Sequence, residues 1–355
     1  MAGGAEDSMV YITILADLAT RIRAGHQILL RDSDDWTVDV NGEVTTVTAA
    51  GVNSIISIKL LEVDDNSPYG NSIATCDNFK IIGNINAEGA SMPEAIALNP
   101  VKVYNNTQIW RTPLSITRTA RKTRLRTGDQ YQKMKSEALE MHSQEMELSY
   151  IWGIRTEKIG SNNKPKRTTM GVINFVRQYA PLNCIDYTVD PTYAGYTWIQ
   201  GGSDWLDNGL EQVFRFGSAE RLALCGSGAL LGIQKLAKAH GWMPLNPVPK
   251  TYGMDVRQWV TPFGVINFKT HPLFSFDATS SYMMILLEPK ELKYRFIDDT
   301  SFCGEFSIKG RPEGYGNDRK DGTLEEYITE AGLEFGLPQK CGIFNGVGKP
   351  SALVV

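Results

Sequence analysis

The sequence is poor in the residues that build metal centres and disulfide frameworks. It has five cysteines and four histidines in 355 residues. The cysteines are odd in number, far apart and without a Cys-x-x-Cys spacing, so they predict reduced thiols in a cytosolic product. No histidine lies at ligand spacing to another histidine, a cysteine or a carboxylate; the four are His26, His142, His240 and His271. We therefore expect no metal site.

Long apolar runs and a secretion signal are also missing. No run reaches the roughly 18 apolar residues that a membrane helix needs, and residues 1–7 are acidic where a signal peptide would be basic. The formal net charge of −4 argues against a protein that coats nucleic acid with its whole surface. Hydrophobic residues at 42% and charged residues at 21% predict a globular protein with a real core, and the length suggests about two domains.

A long helix is the clearest element that is present. Residues 129–154 contain no proline and are rich in good helix formers. Asp129 can cap the first turn. Six residues recur at helical spacing and predict one apolar stripe: Tyr131, Met134, Ala138, Met141, Leu148 and Trp152. The alternative interpretation is an ordinary surface helix.

Strands and turns dominate the first third of the chain. The strongest local signal is Asn41-Gly42, flanked by alternating residues 36–40 and 43–48, which predicts a hairpin with a type I′ turn. No clear helix in this region can cover the strands, and an isolated hairpin is marginal in water. We therefore expect a cover from the long helix or from another subunit. The candidate contact residues are Trp36, Val38, Val40, Asn41 and Gly42.

A basic segment precedes the long helix. Between residues 111 and 126 there is no acidic residue, and the basic ones are Arg111, Arg118, Arg121, Lys122, Arg124 and Arg126. Such a segment can contact phosphate or an acidic neighbouring subunit. The alternatives are a solvated face or ion pairs with glutamates of the same chain.

One glycine-rich stretch has the setting of a nucleotide-binding turn. Gly226-Ser227-Gly228 follows a predicted strand, 221–225, and opens a predicted helix, 229–240, as a dinucleotide turn would. The spacing to Gly232 is one residue too long, and the next segment is broken by prolines. We therefore favour a tight strand-to-helix turn and expect no cofactor. No acid–base pair or nucleophile stands out, so we expect no catalytic residue.

The order of these parts resembles a known family. Residues 105–111, Asn-Asn-Thr-Gln-Ile-Trp-Arg, are similar to the Asn-x-Thr-Gln-Ile-aromatic-Arg motif that leads into the long helix of the SU10-type major capsid proteins of tailed double-stranded-DNA phages. The segment Arg167-Thr168-Thr169-Met170-Gly171-Val172 also resembles that group, except that Met170 stands where a second glycine is usual.

The resemblance implies an α+β fold of the HK97 type. The long helix, 129–154, would be the spine helix. The implied regions are an N-terminal arm (1–35), an extended β-hairpin loop (36–118), a peripheral domain with the spine helix (119–175), an axial domain (176–285) and return strands with the C-terminus (286–355). Among the return strands, 323–335 alternates as a half-buried strand does.

The function implied by the resemblance is that of a major capsid protein. Copies would form hexamers and pentamers of an icosahedral virion head around packaged double-stranded DNA, which they would touch non-specifically. Implied partners are a portal protein, a scaffolding protein that we expect to be a separate chain, and a decoration or cement protein. Assembly would take place in the host cytoplasm, with no membrane involved. The alternatives are an encapsulin-like nanocompartment shell and, more distantly, a dinucleotide-binding enzyme built on residues 226–232.

Overall fold

The computed structural model describes residues 5–35, 38–63, 73–97, 102–123, 128–239, 246–251, 254–305 and 322–353. The chain divides into two compact units, 1–102 and 103–355. Among the described residues, no helix is both long and apolar enough to cross a membrane.

The first unit is an antiparallel sheet with its own core. Its elements are β1 (Met9–Leu15), α1 (Ala16–Ala19), β2 (His26–Arg31), β3 (Asp39–Ala50), β4 (Asn53–Leu60) and β5 (Asn78–Asn84). The five strands lie in the order β1-β4-β3-β2-β5. Ile28, Val40 and Ile58 are fully buried in a cluster that draws on β1 to β4. The described strands therefore bury a core within their own unit, and a cover from another subunit stays a prediction.

The predicted turn at Asn41–Gly42 is wrong, and Trp36 lies outside the described residues. Strand β3 runs without interruption through both residues, and the chain reverses instead at Gly51, whose φ of +72° suits glycine. Gly42 meets a different requirement. A Cβ there would lie 2.3 Å from Ile58 Cγ2, so glycine allows β3 and β4 to pair closely. Asn41 is held by Glu62, whose Oε1 accepts from the Asn41 side-chain amide at 2.9 Å.

The second unit contains the long helix and three further sheets. Its elements in the first half are β6 (Gln108–Thr117), α2 (Arg118–Lys122), α3 (Gln130–Trp152), β7 (Thr156–Ile159), β8 (Pro165–Thr168), α4 (Val172–Tyr179), β9 (Cys184–Asp186) and α5 (Trp198–Phe214). Those in the second half are β10 (Glu220–Cys225), α6 (Ser227–Ala239), β11 (Asn246–Thr251), β12 (Met254–Thr261), β13 (Gly264–Thr270), α7 (Pro272–Phe276), β14 (Met284–Leu287), β15 (Leu292–Glu305), β16 (Gly322–Phe335) and β17 (Gly342–Asn345).

Helix α3 confirms the predicted long helix and its cap. The Tyr131 N–H donates to Asp129 Oδ1 at 3.0 Å, which satisfies one amide of the first turn. The predicted apolar stripe is only partly correct: Ala138 is buried, but Met141 and Leu148 are 55% and 42% exposed. Helix α3 packs on β6 and β16 along one narrow side, so apolar residues away from that side stay accessible.

Two sheets share the core of the second unit. Strands β15, β16 and β6 form one antiparallel sheet, and the larger sheet has the order β11-β12-β13-β10-β14-β17-β9. The predicted alternation in β16 is confirmed, because Tyr327, Thr329, Ala331 and Leu333 are all buried. Between the sheets, Phe175 of α4 stacks on Phe335 at 4.2 Å between ring centroids. The predicted helices 206–214 and 229–240 correspond to α5 and α6, apart from His240, which lies outside the described residues.

Candidate assembly surfaces

The side chain of Asn105 joins three segments of the second unit. Its Nδ2 donates to Thr169 Oγ1 at 3.1 Å and to the carbonyl oxygens of Met170 and Leu333 at 3.2 and 2.9 Å. Its Oδ1 accepts from the backbone N–H groups of Met170 and Asn106 at 2.7 and 2.8 Å. One amide side chain therefore fixes the start of β6 to the segment before α4 and to β16.

The rest of the 105–111 motif fixes β6 against the long helix. Gln108 Oε1 accepts from the Thr169 N–H at 3.1 Å. Trp110 is buried, donates from Nε1 to Ser149 Oγ at 3.2 Å, and meets the Tyr150 ring edge to face at 5.4 Å. Sequence reasoning found this motif only through its resemblance to a family; the structure gives each polar member a defined partner.

His142 lies at the centre of a buried polar chain. Its Nδ1 and Nε2 lie 2.9 and 2.8 Å from the hydroxyls of Thr112 and Thr329. In the neutral ring one of these nitrogens donates and the other accepts, so His142 links the two threonine hydroxyls. Burial lowers the pKa of His142, the largest effect there, against the opposing charge of Glu145.

The members of the basic segment differ in their surroundings. Arg111 forms a two-pronged ion pair with Glu326, with Nε 2.8 Å from Oε2. Arg121 places its guanidinium carbon 4.7 Å from the centre of the Tyr131 ring. Arg118 and Lys122 are exposed on α2. Arg124 and Arg126 lie outside the described residues.

Exposed apolar side chains gather at the β3–β4 turn. The structure buries Val38 and Val40, whereas Val52 at the turn is 81% exposed and Leu15 57%. Leu15 pairs with Asn53, and Ile55, 38% exposed, lies diagonally opposite on the same face. We call Leu15, Val52 and Ile55 the apolar tip. Sequence reasoning missed it because Asn41–Gly42 was a stronger turn signal than Gly51.

The glycines at 226–232 make protein contacts and no phosphate cradle. The N–H groups of Gly226 and Ala229 donate to the carbonyl oxygens of Met283 and Ser281 at 3.0 and 2.9 Å. A Cβ on Gly228 would lie 3.0 Å from the Ser281 carbonyl oxygen. Two backbone amides of this turn are thus already bonded to the protein, which supports the interpretation as a strand-to-helix turn.

A buried ion cluster lies at the start of β10 and was not predicted. Arg221 is fully buried and donates from Nη1 to the carbonyl oxygens of Ser218 and Glu220 at 2.6 and 3.0 Å. Its Nη1 lies 3.4 Å from Glu288 Oε2, and Lys340 Nζ lies 3.6 Å from the same oxygen. Burial acts to raise the pKa of Glu288, but Ser218 and the two cations outweigh it, so the pKa is lowered.

No group of three or more histidine, cysteine or carboxylate side chains within the described ranges could hold a metal ion. The contacts described above are packing contacts, ion pairs and hydrogen bonds.

A sequence profile of the family described as SU10 major capsid protein matches residues 21–348. The chain is also 26% identical over 299 residues to the major capsid protein of Pseudomonas phage PaMx41, an alignment that covers 78% of this chain and 67% of that protein.

Two solved structures show a more distant likeness. One is the holo-SrpI encapsulin complex of Synechococcus elongatus, with 13% identity, a TM-score of 0.46 and coverage of 68% of this chain and 74% of that one. The other is from Mycobacterium phage Cain, with 11% identity, a TM-score of 0.44 and coverage of 74% and 80%. Since both scores are below 0.5, these two likenesses carry no further conclusion.

Proposed function

We propose that this chain, which belongs to the SU10 major capsid protein family, forms hexamers and pentamers of an icosahedral head around packaged double-stranded DNA. In this proposal the chain is a major capsid protein with an α+β fold of the HK97 type, and its copies associate into a capsid shell. The observation that carries the proposal is the family match itself, because residues 21–348 include most of both units.

The apolar tip is the surface we assign to a neighbouring copy. Val52, Leu15 and Ile55 expose apolar area on a turn between two long paired strands. Burial of that area in the shell would contribute about 25 cal/mol per Å². In this proposal Val38, Val40 and Gly42 hold the hairpin in shape from within, and Asn41 fixes it through Glu62.

Helix α2 is the second surface we assign to shell contacts. Arg118, Arg121 and Lys122 lie on one short helix, and Arg111 is already paired with Glu326. We assign α2, together with Arg124 and Arg126, to an acidic surface of another copy or to DNA.

We assign the two larger sheets of the second unit to different domains of the capsid protein. We assign α3 with β6, β15 and β16 to the peripheral domain, and the larger sheet with α5 and α6 to the axial domain around the symmetry axes. A shell of this kind works through many modest symmetric contacts. We propose no catalytic activity for this chain.

Further partners follow from the same role. A head of this type needs a portal protein for DNA entry, and we propose a separate scaffolding protein and a decoration or cement protein as additional partners. We place assembly in the host cytoplasm.

Electron microscopy with mass photometry of the purified native particles tests the proposal. Closed icosahedral shells of megadalton mass that contain double-stranded DNA are expected. Closed shells that enclose an enzyme and no DNA would instead establish the nanocompartment alternative. A small oligomer under every condition, even with a co-expressed scaffold, would overturn the shell role.

A further inference from the structure

The β7–β8 hairpin sorts its charges onto two faces. Residues 155–168 contain five basic side chains and one acidic one, a formal charge of +4 in a chain of −4. Glu157 lies opposite Arg167, and the two form an ion pair at 3.4 Å. Lys158 lies opposite Lys166 and, because strand side chains alternate, both project from the other face. Lys164 continues that face at the turn, where its carbonyl oxygen accepts from Gly160 N–H at 2.8 Å.

This lysine face, defined as Lys158, Lys164 and Lys166, carries charge without compensation. All three side chains are exposed, and among the residues that the structure describes no carboxylate forms an ion pair with any of them. Like charges directly opposite each other on paired strands destabilise the pair. An anionic partner would remove that repulsion, so the arrangement favours binding of an external anion.

Local hydrogen bonds hold the lysine face in a fixed shape. Thr168 Oγ1 donates to the Ile154 carbonyl oxygen at 2.6 Å and accepts from the Thr156 N–H at 3.0 Å, which ties the two ends of the hairpin together just after α3. At the turn, the Lys164 N–H donates to Asn162 Oδ1 at 3.1 Å. The backbone that carries the lysines is therefore organised before any partner binds.

The chemistry of the lysine face favours phosphate over protein. Protein interfaces rely on buried aromatic and aliphatic anchors. The exposed apolar residue of the hairpin, Ile159, lies opposite Pro165 on the other face. A polyanion needs no such anchor, because binding is driven by cations that replace its counterions. Lysine suits this role as a compact point charge on a flexible stem.

We propose that Lys158, Lys164 and Lys166 bind the phosphate groups of double-stranded DNA, without sequence preference. This rests on the proposed function, in which the DNA is the packaged genome. The contact lies outside the 111–126 segment and gives an acidic chain a localised basic surface.

The test measures binding of the full-length unassembled chain to a short double-stranded DNA duplex over about 50 to 200 mM salt. The variant Lys158→Gln, Lys164→Gln, Lys166→Gln is compared with Lys235→Gln, Lys238→Gln, Lys290→Gln, which removes three exposed lysines elsewhere. Three lost phosphate contacts make the slope of log K against log salt shallower by about 2.7, at roughly 0.9 per contact. We expect this loss, and at least about a tenfold lower affinity at the lowest salt, only in the hairpin variant.

Particle yield is measured in parallel by electron microscopy, and the hairpin variant is expected to form shells. Equal DNA affinity and slope in the wild type and the hairpin variant would overturn the proposal. Retained DNA binding with loss of shells would also overturn it and would assign the lysine face to an acidic surface of a second copy. Failure of the wild type itself to form shells would count against the proposed function and leave the DNA measurement interpretable.

Discussion

The side-chain amide of Asn105 donates to the carbonyl oxygen of Leu333 at 2.9 Å, across 228 residues of sequence. The same amide group bonds the segment before α4, so the start of β6, that segment and β16 depend on one side chain.

We expect Asn105→Ala to lower the free energy of unfolding of the second unit by about 2 to 4 kcal/mol, because several buried backbone groups lose their partner. Tryptophan fluorescence in urea measures it, since six of the seven tryptophans lie in residues 103–355. Asn106→Ala is the matched control, as its side chain makes one long hydrogen bond, of 3.4 Å. Equal losses in both variants would contradict the role given to Asn105.

His142 predicts a fall in stability at acidic pH. Burial lowers its pKa below the ordinary 6.5 in the folded chain, so the unfolded chain binds the proton more readily. Its contribution is complete above pH 6.5 and is lost as the pH falls from there through the folded pKa. The limiting slope is about 1.4 kcal/mol per pH unit. The free energy of unfolding, measured against pH, should fall less steeply for His142→Gln than for the wild type. Parallel curves would refute the link between His142 and acid stability.

We expect replacement of the buried Arg221 to lower the free energy of unfolding far more than replacement of an exposed arginine does. Arg221→Met leaves Glu288 without its nearest cation and several carbonyl oxygens without a donor, so we expect a loss of about 3 to 5 kcal/mol. Arg215→Met removes an exposed pair with Glu211 and should cost at most about 1 kcal/mol. Urea unfolding compares them. Similar losses for the two variants would show that the buried cluster is unimportant.

The apolar tip predicts an assembly defect without a folding defect. Val52→Asp places a charge on a side chain that is 81% exposed in the free chain, so the subunit should fold normally. In the shell the carboxylate would be buried against a neighbour, and we expect particle yield to fall by at least about fivefold. Val52→Ile keeps the apolar surface and should assemble. Normal yield from Val52→Asp would remove the tip from the shell contacts.

We expect charge reversal on helix α2 to cause an assembly defect that depends on salt concentration. Arg118→Glu with Lys122→Glu reverses two exposed charges, and we expect fewer particles, with the largest deficit at low ionic strength, where charges are least screened. Lys235→Glu with Lys238→Glu on α6 controls for the change in net charge. Particle yields measured over a series of salt concentrations test this prediction. Equal yields for the two double variants would contradict a specific role for α2.

Sequence patterns identified elements whose determinants are local. The cap at Asp129, the length of α3 and the alternation of β16 depend on neighbouring residues, and the structure confirms them. Asn41–Gly42 gave a wrong turn prediction because Gly42 is required by a contact that is distant in sequence. Ile58 on the paired strand leaves no room for a Cβ there. No local pattern distinguishes such a packing glycine from a turn glycine.

Local sequence patterns also fail to show which side chains are buried and which charges are paired by distant residues. Met141 and Leu148 fit the helical period, but which side of α3 is covered depends on how β6 and β16 lie against it. Arg111 belongs to an uncompensated basic run in the sequence, and its partner Glu326 is 215 residues away. Arg221 donates to the nearby carbonyl oxygens of Ser218 and Glu220, but the carboxylate beside it, Glu288, belongs to a distant segment, so its burial had no local signal.

The pairing of β6 with β16 has a consequence for synthesis. Strand β6 is made early, but its hydrogen-bonding neighbour β16 follows more than 200 residues later, as the separation of 215 residues between Arg111 and Glu326 shows. Contacts of such long range form slowly, since a large loop must close first. On the ribosome, the part of α3 that packs on β16 therefore stays uncovered until residues 322–335 have emerged, although β6 is already present. Nascent chains would thus lack a finished second unit, and only completed copies would be competent to join a shell.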